Sequence, residues 1–218
     1  MPSIDSEHII AIPFTSGSTG YAQPHPKRWG ELVAGAILAR KRFGFDRLSG
    51  GAIIATVPPQ HMYGLETSVM LPLATRLGAW SGRPFFPDDL RAALAAVSPP
   101  RVLVTTPPHL SVCMRAGLSW PPASLVISAT APLAPDLAAA AEQAFGSPVM
   151  EIYGFTEAGS IASRRTLRDR FWRLYDTMVI RNNTVIAPHL SSPTPLDDVL
   201  EPRGCDLFEL MGRMQDLV

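Results

Sequence analysis

Between Gly51 and Tyr153 one pattern recurs: a short apolar run, a turn marked by proline or glycine, then a segment with helical spacing. Gly51–Val57 (GAIIATV) stops at Pro58-Pro59. Asp88 or Asp89 caps a helix running to about Val97, and Val102–Thr105 leads into a helix near His109–Ala116. Leu125–Ser128 precedes a helix opened by Pro135 and closed by Gly146 after Phe145, and Val149–Tyr153 follows. Apolar runs without polar alternation suit strands buried on both faces, and strands that alternate with helices pair in parallel through crossovers. The pattern therefore confines the chain to an α/β fold, a mainly parallel sheet with flanking helices.

Upstream, His8–Phe14 (HIIAIPF) reads as a further buried strand that feeds a loop rich in Ser, Thr and Gly. A helix is expected from Trp29 to Phe43, with Trp29, Leu32, Val33, Ala36 and Ile37 on one face and Arg40, Lys41 and Arg42 in its last turn. Beyond Gly159 the texture changes. Met178–Ile180 and Thr184–Ala187 flank Asn182-Asn183, a tight hairpin, and Cys205–Leu210 is another short strand. The expected architecture is an α/β body over residues 1–160, a small C-terminal antiparallel β layer over 161–211, and a terminal run over 212–218.

Composition narrows the function classes. The 19 basic and 19 acidic residues cancel, so there is no basic excess for nucleic acid or an anionic membrane. No apolar run reaches the roughly 18 residues of a membrane span. The start, MPSIDSEHII, lacks the basic and apolar segments of a secretory signal. Cys113 and Cys205 lie far apart without metal or redox spacing, which suits a reduced, cytoplasmic protein.

Phosphate recognition must then come from local geometry, and Thr15-Ser16-Gly17-Ser18-Thr19-Gly20 has the composition for it. Two glycines admit close approach of an anion, and four hydroxyls add donors. A polar turn has the same composition, and no G-K-[ST] follows to make a P-loop. The string after an apolar strand resembles the phosphate loop of the adenylate-forming ligases, the superfamily of acyl-CoA synthetases, aryl-acid ligases, peptide-synthetase adenylation domains and luciferases. The resemblance recurs in order. Ser128-Ala129-Thr130-Ala131-Pro132-Leu133 is similar to the turn lining the adenine pocket, and Tyr153-Gly154-Phe155-Thr156-Glu157 to Y-G-x-T-E. Gly204-Cys205-Asp206 resembles T-G-D, Gly212-Arg213 with Asp216 the G-R-x-x-D hinge, and Gln60-His61-Met62-Tyr63-Gly64 the segment beside the acyl pocket.

The resemblance implies roles. Thr15 to Gly20 take the phosphates; Thr130, Ala131, Pro132, Tyr153 and Gly154 hold the adenine of ATP or AMP, with Tyr153 stacking on the base. Asp206 and Arg213 hold the ribose, Thr156 and Glu157 are catalytic, and Glu157 also holds Mg²⁺, which prefers oxygen ligands shared with phosphates. His61, Tyr63, Gly64 and Ser128 line the acyl site. His25, His109 and His189 show no metal-ligand spacing and read as structural or surface residues.

The implied activity is ATP-dependent conversion of a carboxylic acid to acyl-AMP, then transfer to the phosphopantetheine thiol of an acyl carrier protein; a coenzyme A ligase and a catalytically incomplete nucleotide-binding module are the alternatives. The loop continuation, with Ala187-Pro188-His189-Leu190 and Pro195-Leu196-Asp197-Asp198-Val199, is similar to ligases of aryl-polyene and xanthomonadin-type pigment clusters, implying a hydroxybenzoate-like aryl acid. Three departures stand out, one being that Cys205 stands where T-G-D has its glycine, or Gly204 is displaced by one. Gln23 occupies the usual phosphate-loop lysine position, so a charge is lost unless Lys27 compensates. The sequence also stops at Val218, so the family's mobile C-terminal domain, with its assisting lysine, and the portion preceding the serine-rich loop are expected to lie outside this chain, which alone should be weakly active.

Overall fold

Two-residue alternation inside the apolar runs distributes their side chains to two faces. In a computed structural model of the chain, which describes residues 3–16 and 22–213, Ile54, Leu103 and Val126 face one hydrophobic cluster while Ile53, Val102, Val104 and Ile127 face another. The sheet is thus buried on both sides, as its lack of polar alternation requires.

The chain opens with β1 (Ile9–Ala11), β2 (Phe14–Ser16), β3 (Ala22–Pro24) and β4 (Lys27–Arg28), followed by α1 (Trp29–Arg42) and β5 (Ala52–Ala55). A helical stretch over 62–74 comes next. It consists of a turn of α-helix, α2 (Met62–Gly64), a π-type segment (Leu65–Met70) and a second turn, α3 (Leu71–Ala74). Thr67 and Ser68 bond back to the carbonyls of Tyr63 and Gly64, competing with the helical ladder where it widens. Then come β6 (Gly78–Ala79), α4 (Pro87–Ala96), β7 (Arg101–Thr105), α5 (Pro107–Arg115), β8 (Leu125–Ser128), α6 (Pro135–Phe145) and β9 (Val149–Phe155). The remainder is β10 (Gly159–Arg165), β11 (Trp172–Leu174), β12 (Val179–Arg181), β13 (Thr184–Ile186), β14 (Thr194–Pro195), β15 (Asp198–Pro202) and β16 (Leu207–Arg213).

A nine-stranded sheet runs in the order β15-β16-β11-β10-β9-β8-β7-β5-β6. From β6 to β9 the pairing is parallel, and from β9 through β10, β11 and β16 to β15 it is antiparallel. Helices α4, α5 and α6 cover one face; α1 and the 62–74 stretch cover the other. The antiparallel half has its own core of Tyr153, Ile161, Trp172, Tyr175 and Phe208. Beside it, β12, β13 and β14 form a small antiparallel sheet, with Asn182 and Asn183 both at positive φ in the β12–β13 turn.

Three expectations change in detail. The run His8–Phe14 is not one buried strand: Pro13 divides it, β1 pairs with β4, β2 pairs with β3, and neither joins the main sheet. Phe14 is 63% exposed and Ile9 and Ile12 are also exposed. Apolarity marked a strand there but could not say what it packs on. Helix α4 is not capped by an aspartate in front of it; Phe86 is the N-cap residue, and Asp89, three residues on, accepts the Phe86 N–H at 3.4 Å. Cys205 and Asp206 precede β16 in a turn rather than lying in the strand.

Candidate functional site

A parallel sheet presents its strand carboxyl ends to one edge, where such sheets bind ligands. Here that edge holds a cavity of about 470 Å³, within the size range of small-molecule sites. Residues following β5, β7 and β8 line it (Val57 and Pro58; Thr106; Ala129 and Thr130), and so does the end of β9 with Thr156. The helical stretch contributes His61, Met62, Tyr63 and Glu66; β10 contributes Gly159 and Ser160. Most of this wall is carbon, with hydroxyls at Thr106, Thr130, Thr156 and Ser160.

Thr130 adopts φ +80°, a strained conformation for a threonine, at the cavity mouth. The turn that carries it is anchored by a buried carboxylate that sequence reasoning did not single out. Glu151 accepts the Leu133 N–H at 3.0 Å on one oxygen, and Arg164 at 2.7 Å and Thr166 at 2.6 Å on the other. A lone acid inside the apolar run Val149–Tyr153 was its signal.

Of the residues expected to line an acyl site, His61 and Tyr63 reach the cavity. The Tyr63 hydroxyl is committed elsewhere, to the carbonyls of Thr105 at 3.0 Å and Ile127 at 3.1 Å, and burial pushes its pKa well up. Gly64 is buried below the wall, where an added Cβ would come 2.0 Å from the Pro58 carbonyl oxygen. Ser128 is fully buried in the sheet, its hydroxyl without a hydrogen-bond partner among the described residues.

The expected phosphate elements form a second group beside the cavity. Thr15 lies in β2, opposite Gln23 of β3, so the strand pair brackets the serine-rich loop. Gly17, Ser18, Thr19 and Gly20 lie outside the described residues, as do the side chains of Ser16 and Arg213 and the expected hinge beyond Arg213. His25 bridges the hairpin to the β9–β10 turn: its Nε2 lies 2.8 Å from Thr15 Oγ1 and 3.4 Å from Glu157 Oε1. The Glu157 carboxylate, 40% exposed, stands at this junction rather than in the cavity wall. Among the described residues no group of three or more His, Cys, Asp or Glu could by itself hold a metal. Glu157 alone fits Mg²⁺ only as one oxygen ligand completed by phosphates and water.

Lys27, the candidate replacement for the absent loop lysine, is engaged within the fold. Its side chain is buried; the ammonium donates to Glu31 Oε1 at 2.8 Å and to the Glu157 carbonyl at 2.6 Å, fixing α1 to the β9–β10 turn. Burial, ahead of the opposing fields of Glu31 and Lys27, lowers the pKa of nearby His189.

On the adenine side, Gly154 lines the cavity, whereas Ala131 and Pro132 lie exposed on the turn beyond it. The Tyr153 ring, 8% exposed, packs on Trp172 and Phe208, and its hydroxyl donates to Asp198 Oδ2 at 2.7 Å. Asp198 is paired in register with Arg213. Asp206, in contrast, lies exposed in the β15–β16 turn with Arg173 Nε 3.7 Å away. The structure therefore brings Asp198, not Asp206, to Tyr153.

Against known proteins, the family model described as AMP-binding enzyme matches residues 1–185. A 4-coumarate–CoA ligase from Rhodobacter capsulatus is 30% identical over 209 residues, covering 96% of this chain and 53% of the relative. The chain thus spans about half the length of the curated relatives it matches. Among solved structures, ATP-bound MatB from Rhodopseudomonas palustris superposes with a TM-score of 0.78 at 19% identity, over 100% of this chain and 50% of that one. O-succinylbenzoate coenzyme A synthetase (MenE) from Bacillus subtilis, in complex with AMP, gives 0.81 at 14%, over 98% and 51%. At these identities the structures speak to the fold alone: an α/β sheet of the same architecture.

Proposed function

We propose that this chain, which belongs to the AMP-binding enzyme family, takes part in activating a carboxylic acid with ATP, followed by transfer of the acyl group to a thiol. The observation that carries this is the junction of two sites at one sheet edge: a largely apolar cavity at the strand ends, and beside it the β2–β3 strand pair, whose Thr15 is tied to Glu157 through His25. A carboxylate oxygen of the acid would attack the α-phosphorus as the bond to pyrophosphate breaks, leaving acyl-AMP. A thiol would then attack the acyl carbon and release AMP. The chain's contribution is positioning and charge stabilisation.

In this reading Thr15 to Gly20 and Thr156 face the phosphates, and Glu157 holds Mg²⁺ against them, the ion neutralising phosphate charge. Thr130 and Gly154 border the base beside Tyr153. The carboxylate facing the ribose is Asp198 rather than Asp206, supported by its bond to Tyr153 and its register with Arg213. The expected hinge would begin at Gly212 and Arg213, which close β16. The size and carbon-rich lining of the cavity suit an aryl acid such as a hydroxybenzoate. An acyl carrier protein is the proposed acceptor; coenzyme A is the second reading, favoured by relatives named as CoA ligases.

Acid-dependent pyrophosphate release, measured over aryl and fatty acids with mass detection of acyl-AMP, tests the proposal. An aryl acid should give the highest rate. ATP binding without acyl-AMP from any acid would overturn it in favour of a nucleotide-binding module.

A further inference from the structure

The reaction above makes no use of the one carboxylate that the described residues place in the cavity wall. Glu66 stands in the π-type segment Leu65–Met70, and its side chain lines the cavity. Its two oxygens accept the Ser160 N–H at 3.0 Å and 3.1 Å, and Oε2 also accepts the Ser160 hydroxyl. Gly159, at φ +73°, makes room for it: a Cβ there would lie 2.4 Å from Glu66 Oε1. No ion pair among the described residues involves Glu66; Lys27, the nearby cation, is bonded to Glu31 and to the Glu157 carbonyl. Burial accordingly raises the Glu66 pKa against the opposing bonds from Ser160.

A buried carboxyl without a cation is costly to retain unless its hydrogen-bonding capacity is met. A carboxylate offers about four acceptor positions, and Ser160 fills three at most. Among the described residues only Ser160 donates to Glu66. The side chains of Met62, Ile152 and Phe155 carry no donor, and the Tyr63 hydroxyl is committed to the sheet carbonyls. A donor on a molecule bound in the cavity can fill the open position.

We infer that Glu66 sets the substrate preference of this site by accepting a hydrogen bond from a hydroxyl on the acid, a phenolic hydroxyl on the ring remote from the reacting carboxylate. The inference rests on reading the cavity as the acyl site and narrows it. Glu66 would favour a hydroxylated aryl acid over the unsubstituted one, which leaves a buried acceptor unpaired, and would repel an acid carrying a second carboxylate.

The test compares 4-hydroxybenzoate, benzoate and terephthalate in the wild-type chain, Glu66→Gln and Glu66→Leu. Binding is measured by calorimetry and turnover by pyrophosphate release, with circular dichroism to check folding. Wild type should favour 4-hydroxybenzoate over benzoate by about 10²-fold or more, in the manner of sites built to pair a substrate hydroxyl. Glu66→Leu should bring the two toward parity. Glu66→Gln, which keeps an acceptor but removes the charge, should relax the exclusion of terephthalate, and it carries the test should the leucine variant fail to fold. An unchanged order of preference in folded variants overturns the role of Glu66 even where pyrophosphate is released. A Glu66-dependent preference in binding without pyrophosphate release supports that role and makes this chain an acid-binding module that does not by itself carry out activation.

Discussion

Replacing Lys27 by methionine separates two jobs that a lysine near a phosphate loop can have. In the structure Lys27 is 2% exposed and its ammonium bonds Glu31 and the Glu157 carbonyl. Methionine fills similar volume but strands the Glu31 carboxylate, whose side chain is only 10% exposed. Breaking one partner out of a buried pair costs about 3–5 kcal/mol, while replacing both by apolar groups is about neutral or better. The Glu157 carbonyl loses a partner in either case, which costs about 1–3 kcal/mol. Lys27→Met should therefore lower the unfolding free energy by about 4–8 kcal/mol, the two losses taken together. The double variant with Glu31→Leu should recover the part due to the stranded charge and leave mainly the carbonyl loss. Urea unfolding followed by circular dichroism gives both numbers, and calorimetry gives ATP affinity for the folded variants. Were Lys27 the phosphate-loop charge, the single variant would lose ATP affinity at nearly unchanged stability. A stability loss below about 1 kcal/mol, or a double variant no better than the single one, refutes the structural assignment.

Other outcomes follow from the same geometry. Glu157→Gln should weaken ATP–Mg²⁺ binding by about tenfold or more, one charge-assisted contact being worth about 1.5–3 kcal/mol, while AMP affinity changes less; equal losses by calorimetry would make Glu157 structural. Asp198→Asn should reduce nucleotide affinity and Asp206→Asn should not, because only Asp198 reaches Tyr153; the reverse order would return the ribose role to Asp206. Glu142 is held by a two-point pair with Arg165, at 2.9 Å and 2.6 Å, and this pairing lowers its pKa below the ordinary value of 4.5. Its contribution to stability is therefore present above that pH and lost as pH falls through the folded-state value. The stability gap between wild type and Glu142→Gln, read from thermal unfolding, should close on acidification below 4.5; a gap that widens there would reverse the sign of the linkage.

The parallel half of the fold was legible because its signals are local. Leu125–Ser128 and Pro135–Phe145 coincide with the expected strand and helix, since an unbroken apolar run, an N-terminal proline and a C-terminal glycine each specify backbone geometry by themselves. His8–Phe14 carries the same kind of run and behaves differently, because apolarity states that a segment can be buried and not what will cover it. Strands β10, β11 and β15 gave little warning. They are short or polar, and their places in the sheet are set by partners distant in sequence, as Trp172 is by Phe208.

The candidate site divides along the same line. Residues whose side chains act from strand ends, such as Thr130 and Thr156, were legible as motifs because position along a parallel strand already places them at the ligand edge. Residues that act through pairing were not. Asp198 and Asp206 are both acids near the end of the chain, and only the β15–β16 register, which sets Asp198 opposite Arg213, distinguishes them. Whether Lys27 replaces the loop charge was open from sequence, yet Glu31 lies one helical turn on, at the spacing that closes an ion pair. Glu66 belongs to none of the motifs, and only the fold sets it against Ser160, 94 positions away. Electrostatic roles depend on which charges are buried together, and that is a property of the tertiary structure. Residues that could tune this site for one ligand over another are therefore to be sought among its buried, incompletely satisfied polar groups rather than within its motifs.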